Sequence, residues 1–291
     1  MVITVQDFTG IYDYQPFMQE LREKAANSAD IHWLDCKKIV GTDCYCDDDA
    51  IKEINELIDN AERNSGSINS SNCAGKAPEI HFFDNGNYHY MSKLWTDRVQ
   101  EPFTLIVFDH HPDMQPPRFG GILSCGGWVK EVLDNNKFVQ NVIIIGVKDE
   151  LVEIVREELS QSGEADILDK VTFVTESKIL KEIPTFMGMT CNDSAMSVGN
   201  DKAHSSNIYF SIDKDALSTA HAVTNWDQGS LSIEALKATI ASLAANRKIL
   251  GIDICGERSH DFEGDEQHSE QDADTLNNKL NRELFDFLQN L

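Results

Sequence analysis

The run Val142-Ile143-Ile144-Ile145-Gly146-Val147 has no polar side. In a strand, successive side chains point to opposite faces, so this one presents apolar groups both ways. It needs cover above and below, which is the situation of a parallel sheet between helices. Thr104-Leu105-Ile106-Val107-Phe108, Ile208-Tyr209-Phe210-Ser211-Ile212 and Ile249-Leu250-Gly251-Ile252-Asp253-Ile254 read the same way. Shorter strands are expected at Ile3-Thr4-Val5, Ile31-His32-Trp33-Leu34, Ile80-His81-Phe82-Phe83 and Val171-Thr172-Phe173-Val174. Between them, apolar residues recur at helical spacing. The stripes are Phe17, Leu21 and Ala25; Ile51, Ile54, Leu57, Ile58 and Ala61; Trp128, Val129, Val132 and Leu133; Val152, Val155 and Leu159. Two more follow: Ile233, Leu236, Ile240 and Leu243, behind Ser232 as N-cap, and Leu276, Leu280, Leu284 and Leu288. About eight strands alternating with helices predict a three-layer α/β/α fold with a mostly parallel sheet. No repeat or linker interrupts the pattern, so one domain over residues 1–291 is expected. The polar stretches 64–78 and 184–206 read as loops, the second long enough to suggest a functional role.

The charge balance narrows the partners. With 49 acidic and 25 basic residues, the formal charge is −24. Nucleic acid and anionic membranes both need a positive surface and are therefore excluded as main partners. A small molecule, cationic or neutral, fits better, and a homo-oligomer is compatible. Residues 1–7 lack the basic start and apolar run of a secretion signal, and the seven cysteines are scattered, so a reduced, cytoplasmic protein is expected. Cys44-Tyr45-Cys46 is one residue short of the usual paired-ligand spacing and does not announce a structural zinc.

Ligands of open α/β sheets bind beyond the carboxyl ends of the strands, and here those ends carry unusual residues. Asp109-His110-His111-Pro112-Asp113 follows one apolar run, and Asp213-Lys214-Asp215 follows another. His89 lies shortly after a third. If strand geometry persists, Asp109, His111 and Asp113 share a face, as do Asp213 and Asp215, with Lys214 turned away. Such a set is either a solvated acidic surface or a site for divalent cations, since carboxylates crowd together at little cost only around positive charge. His221 and the Asn225-Trp226-Asp227-Gln228-Gly229 segment lie near enough in sequence to contribute to a site or merely to form a turn.

These residues resemble the ureohydrolase family, the arginase and agmatinase type. Asp109, His111 and Asp113 match its Asp-x-His-x-Asp motif, and Ser211, Asp213 and Asp215 its Ser-x-Asp-x-Asp motif. Gly86-Asn87-Tyr88-His89 loosely matches its Gly-Gly-Asp-His. Ile145-Gly146-Val147-Lys148-Asp149 and Gly251-Ile252-Asp253-Ile254 resemble two of its strand ends. The resemblance implies an arginase-like fold and two Mn²⁺ ions, with Asp109 and Asp213 bridging. His89 and Asp113 would complete one ion, and His111 and Asp215 the other. An oxygen-rich donor set agrees with Mn²⁺, although Fe²⁺ or Zn²⁺ also accepts such donors. The implied activity is hydrolysis of a linear C–N bond, guanidino or amide/amidine, by a metal-bridging hydroxide. Asp109, His111, Asp213 and Glu257 would act in catalysis, and Trp226, Asp227 and Glu257 would bind substrate.

Three departures qualify that implication. Ser124-Cys125-Gly126-Gly127-Trp128 stands where the family has a loop with a proton-shuttling His, and contains none. Ala216-Leu217-Ser218-Thr219 replaces a further Asp-Pro. The substrate-contacting Glu falls in register on Gly256, with Glu257 one residue late. Metal binding without catalysis is therefore the alternative. A deacetylase-type site is disfavoured, because it has fewer carboxylates than the two Asp groups found here.

Overall fold

The computed structural model describes residues 1–64, 78–117, 120–179 and 207–291. The expected 184–206 loop and most of the 64–78 loop lie outside these residues. Eight strands form one parallel sheet: β1 (Ile3–Asp7), β2 (Ile31–Asp35), β4 (Glu79–Phe82), β5 (Phe103–Phe108), β7 (Val139–Val147), β8 (Val171–Thr175), β9 (Asn207–Asp213) and β10 (Lys248–Cys255). Their order is β2-β1-β4-β10-β9-β5-β7-β8, and every pairing is parallel. This is the three-layer α/β/α architecture expected from the apolar runs. Two further strands, β3 (Tyr45–Cys46) and β6 (Leu123–Ser124), form a small antiparallel ribbon that the sequence did not suggest.

Each face of the sheet is covered by helices. On one side lie α1 (Pro16–Ala25), α6 (Ile233–Ala244) and α7 (Glu270–Leu288), burying Phe17, Leu21, Leu236, Ile240 and Leu284. On the other lie α2 (Asp48–Asn64), α3 (Met91–Thr96), α4 (Trp128–Asn135) and α5 (Asp149–Ser162), burying Ile54, Ile58, Met91, Trp128 and Val155. Within β7, Ile144 packs into one layer and Ile145 into the other, which is why that run tolerates no polar residue. Ser232 caps α6 as expected, accepting from the Ala235 amide at 3.2 Å. The terminal helix α7 starts at a Ser269/Asp272 capping box.

Strand order decides where a site can form. From β5 the chain leaves for β7 on one side, and from β9 it leaves for β10 on the other. Adjacent strands with diverging connections open a crevice at their carboxyl ends. In the β5/β9 register Phe108 is opposite Ile212, so Asp109 and Asp213 emerge side by side at that crevice.

The sheet interior also holds a second polar cluster, further back along the same strands. His81 Nδ1 lies 2.7 Å from Asp253 Oδ1, which also accepts from the Tyr209 hydroxyl at 2.8 Å, and the imidazole stacks on Trp95 at 3.6 Å. Burial by itself would lower the His81 pKa, but the bond to Asp253 and the charges of Asp253 and Glu79 hold it above its ordinary value. A raised folded-state pKa adds stability below the unfolded value, near 6.5, that is lost as pH rises through the folded value. Asp253→Ala strips the charge partner and is expected to cost roughly 3–5 kcal/mol. In urea unfolding, the gap between wild type and variant should be wider at mildly acid than at alkaline pH; a gap independent of pH would count against a charged His81.

Candidate metal centre

β5 stops at Phe108, so the alternation of Asp109, His111 and Asp113 is not strand alternation. The chain turns out of the sheet instead. The His110 amide donates to Asp215 Oδ1 at 3.0 Å, and the His111 amide to Asp109 Oδ1 at 2.6 Å. Asp113 sits in the left-handed region at φ 47, a conformation Asp tolerates better than most residues. At β9, Asp213 is the last strand residue, and its Oδ1 accepts from the Asp215 amide at 2.9 Å, starting a short turn. The loop after β4 is pinned by Asp84, whose carboxylate accepts from the Phe8 and Thr9 amides at 2.9 and 2.7 Å. Asn225 Oδ1 accepts from the Gly86 amide at 2.9 Å. Together these contacts carry His89 to the crevice.

His89, Asp109, Asp113, Asp213 and Asp215 are buried there, and His111 is partly so. His89 Nδ1 stands 3.1 Å from Asp109 Oδ2, 3.0 Å from Asp113 Oδ2 and 3.5 Å from Asp213 Oδ2. His111 Nδ1 stands 2.9 Å from Asp215 Oδ2 and 3.5 Å from Asp109 Oδ1. Two donor triads result, His89–Asp109–Asp113 and Asp109–His111–Asp215, each with ligand atoms within 4.8 Å of one another and both sharing Asp109. A third group joins His89 and Asp213 to Cys255, whose thiol donates to Asp213 Oδ2 at 3.2 Å. The place of Cys255 beside the carboxylates follows from the β9/β10 pairing of Cys255 with Asp213.

The electrostatics ask for a cation. Burial first, then the charge of Asp215, pushes the Asp213 carboxyl up to about 7; burial and Asp109 push Asp215 up to about 6. Burial lowers both imidazoles, yet the surrounding carboxylates override it and draw protons to His89 and His111 well above the usual range. Among the described residues, the buried Asp109 Oδ2 has no hydrogen-bond partner, since His89 is near but misaligned. An oxygen left over among acids and imidazoles is what a divalent ion would satisfy, so the donor set fits one.

The imidazoles are held from behind. His89 Nε2 is 2.8 Å from Ser211 Oγ, and His111 Nε2 is 3.0 Å from Asp227 Oδ1. Ser211 thus has a concrete contact within the matched motif, and Asp227 touches the site through His111 rather than as part of the cavity wall. Trp226 does line the cavity; it is 42% exposed, meets the His111 ring edge-on at 5.8 Å, and donates to Asn87 Oδ1 at 3.0 Å.

Glu257 is a correction. The structure does not bring it into the cavity: it is fully buried, with Oε1 bonded to Lys214 Nζ and to Asn281 Nδ2 at 2.7 Å. Its Oε2 accepts from Gln15 at 2.8 Å and from Asn277 at 3.0 Å. A carboxylate so occupied cannot meet a substrate's cationic head. Nor can position 256 take a Glu: Gly256 has φ 89, and a Cβ there would lie 2.3 Å from Asp213 Oδ1. Lys214 does turn away from the carboxylates, as expected, but into this buried network rather than to solvent. His221 is half-buried and is not among the cavity-lining residues.

The cavity above the acids has a volume of about 270 Å³. One wall is Cys44, Tyr45, Ser124, Cys125 and Gly126; another is Leu151, Ile154, Val155 and Glu158 from α5. The α5 wall was not foreseen, because a helix stripe signals burial without saying that its end faces a crevice.

An α/β/α sheet with acids and imidazoles gathered at its switch point presents a candidate cation site at its strand ends. The model of the Arginase family matches residues 88–258, and the chain belongs to that family. An uncharacterized protein of Thermotoga maritima is 26% identical over 255 residues, covering 88% of this chain and 79% of its own. The agmatine ureohydrolase of Thermoplasma volcanium superposes with a TM-score of 0.60 at 14% identity, covering 99% of this chain and 89% of its own. The arginase of Bacillus caldovelox superposes at 0.59, also 14% identical, over 98% of each chain. Among the described residues, no helix is long and apolar enough to cross a membrane.

Proposed function

We propose that this chain is a metal-dependent hydrolase of a linear C–N bond in a guanidino, amidine or amide compound, holding two divalent ions, Mn²⁺ by preference. The observation that carries the reading is the pair of donor triads sharing Asp109 on the cavity floor. His89 and Asp113 would serve one ion, His111 and Asp215 the other, with Asp109 and Asp213 between them. Ions held there supply Lewis acidity and a water acidic enough to act as a nucleophile near neutral pH. For both imidazoles to offer Nδ1 as a lone pair, Nε2 must carry the proton; Ser211 and Asp227 accept from it there and fix that tautomer. Trp226, at the cavity edge, offers a face for a planar cationic head.

The cavity wall also speaks to substrate. Among its described lining residues the one charged side chain beyond the floor is Glu158, and none is Lys or Arg. Among the described lining residues a carboxylate-bearing tail finds no countercharge, whereas an aliphatic tail ending in an amine meets Leu151, Ile154 and Glu158. The test is urea or ammonia release with Mn²⁺ over a panel of guanidino compounds that differ at the tail: amine, amino acid, carboxylate and amide. Amine-tailed compounds should react fastest, and free arginine well below about 10 per second. Efficient arginine turnover would overturn the substrate reading.

The missing His in 124–128 and the engaged Glu257 favour a second reading, a member that binds metal without catalysis. It predicts full metal uptake with no release from any panel compound. Gly126→His separates the two further. The three atoms nearest a Cβ there belong to the flexible side chain of Gln115, the closest at 3.3 Å, so the variant should fold and should raise any guanidine hydrolysis.

A further inference from the structure

Cys44 and Cys125 are 81 residues apart in sequence and adjacent in the cavity wall. The β3–β6 ribbon pairs Cys46 with Leu123 and Tyr45 with Ser124, so the next step of the register sets Cys44 opposite Cys125. The ladder itself ends at Tyr45, with Cys44 in the left-handed region at φ 58, but the Cys125 amide donates to the Cys44 carbonyl at 2.9 Å and holds the two residues together. With a backbone hydrogen bond between them, the two Cα atoms lie within the span a disulfide bridges. The two thiols are near enough that each shifts the titration of the other. Both are partly accessible, whereas Cys36, Cys46 and Cys255 are buried.

The pair is asymmetric. The neighbouring Cys125 holds the Cys44 thiol below its ordinary pKa, while Cys44, burial and the nearby Asp113 push Cys125 far up. Cys44 is therefore the nucleophile of the two and Cys125 its resolving partner.

We propose that Cys44 and Cys125 are a peroxide-reactive dithiol that closes to an intrachain disulfide in the wall of the cavity. The Cys44 thiolate attacks one oxygen of a hydroperoxide, breaking the O–O bond and releasing water or an alcohol after protonation. The resulting sulfenic acid is attacked by the Cys125 sulfur, the S–O bond breaks, and a water carries off the oxygen and the remaining proton. Two thiols are oxidised by two electrons and one peroxide is reduced. The closed bridge locks the ribbon that carries Tyr45 and Ser124, two other residues of that wall.

The test uses the full chain carrying Cys73→Ser and Cys191→Ser, since both positions lie outside the described residues, with the wild-type chain in parallel. Stoichiometric hydrogen peroxide should remove two titratable thiols and lower the mass by two hydrogens. Peptide mapping should find Cys44 joined to Cys125 in both chains, and dithiothreitol should restore both thiols. In Cys125→Ser, dimedone should trap a sulfenic acid on Cys44. An unchanged mass under excess peroxide, two oxygens added at Cys44 while Cys125 is present, or a bridge mapping to any other pair or between chains would overturn the proposal.

Discussion

Metal-stripped protein is expected to melt on the order of 10 °C below the same protein in excess Mn²⁺. At a free ion concentration a hundredfold above Kd, one site adds about 2.7 kcal/mol. Two sites roughly double that, and a chain of this size gains a few degrees per kcal/mol. Without ions, four buried carboxylates repel one another, and protons drawn to His89 and His111 help to relieve them. Protons and ions compete for the same atoms, so Mn²⁺ affinity should rise with pH. Asp213→Asn removes a carboxylate that burial already strains toward neutrality. That variant should be no less stable than the stripped wild type, yet gain little from Mn²⁺ and bind less of it. Equal metal content and equal melting shifts in wild type and variant would remove Asp213 from the donor set.

The second large effect lies behind the site. Glu257 and Lys214 are both fully buried, and their ion pair is surrounded by Gln15, Asn277 and Asn281. Removing either partner leaves a charge in the interior without its counterion. Glu257→Ala and Lys214→Ala are each expected to cost roughly 3–5 kcal/mol in chemical denaturation. The double change Lys214→Met with Glu257→Gln removes both charges, keeps the volumes, and should recover most of the loss. If each single variant unfolds within about 1 kcal/mol of wild type, the pair is not the buried charge partnership its burial indicates. The network also reaches the cavity loop, because Asn277 bonds both the amide and carbonyl of Val223, at 2.9 and 2.7 Å. Lys214 therefore cannot serve as a neutral control for Asp213, although the two are neighbours in sequence.

Much of the architecture was legible because it rests on local rules. An all-apolar run such as 142–147 admits few settings besides a doubly covered strand, and the helix stripes between the runs set the α/β/α alternation. The six candidate donors were legible because divalent ions demand particular side chains, and an open parallel sheet puts ligands at strand ends. What sequence could not convey were contacts made across the fold. Asp109, His111 and Asp113 converge through a turn with Asp113 in a left-handed conformation, not by strand alternation. Whether Glu257 faced a substrate or the interior depended on Gly256, where the close approach of Asp213 leaves no room for a side chain. Cys255 beside Asp213, Asp227 behind His111 and Cys44 opposite Cys125 each join residues tens of positions apart. Such pairs depend on strand order and loop docking, which are settled by the packing of the whole chain, whereas spacing along a sequence reports only which face of one element a residue shares.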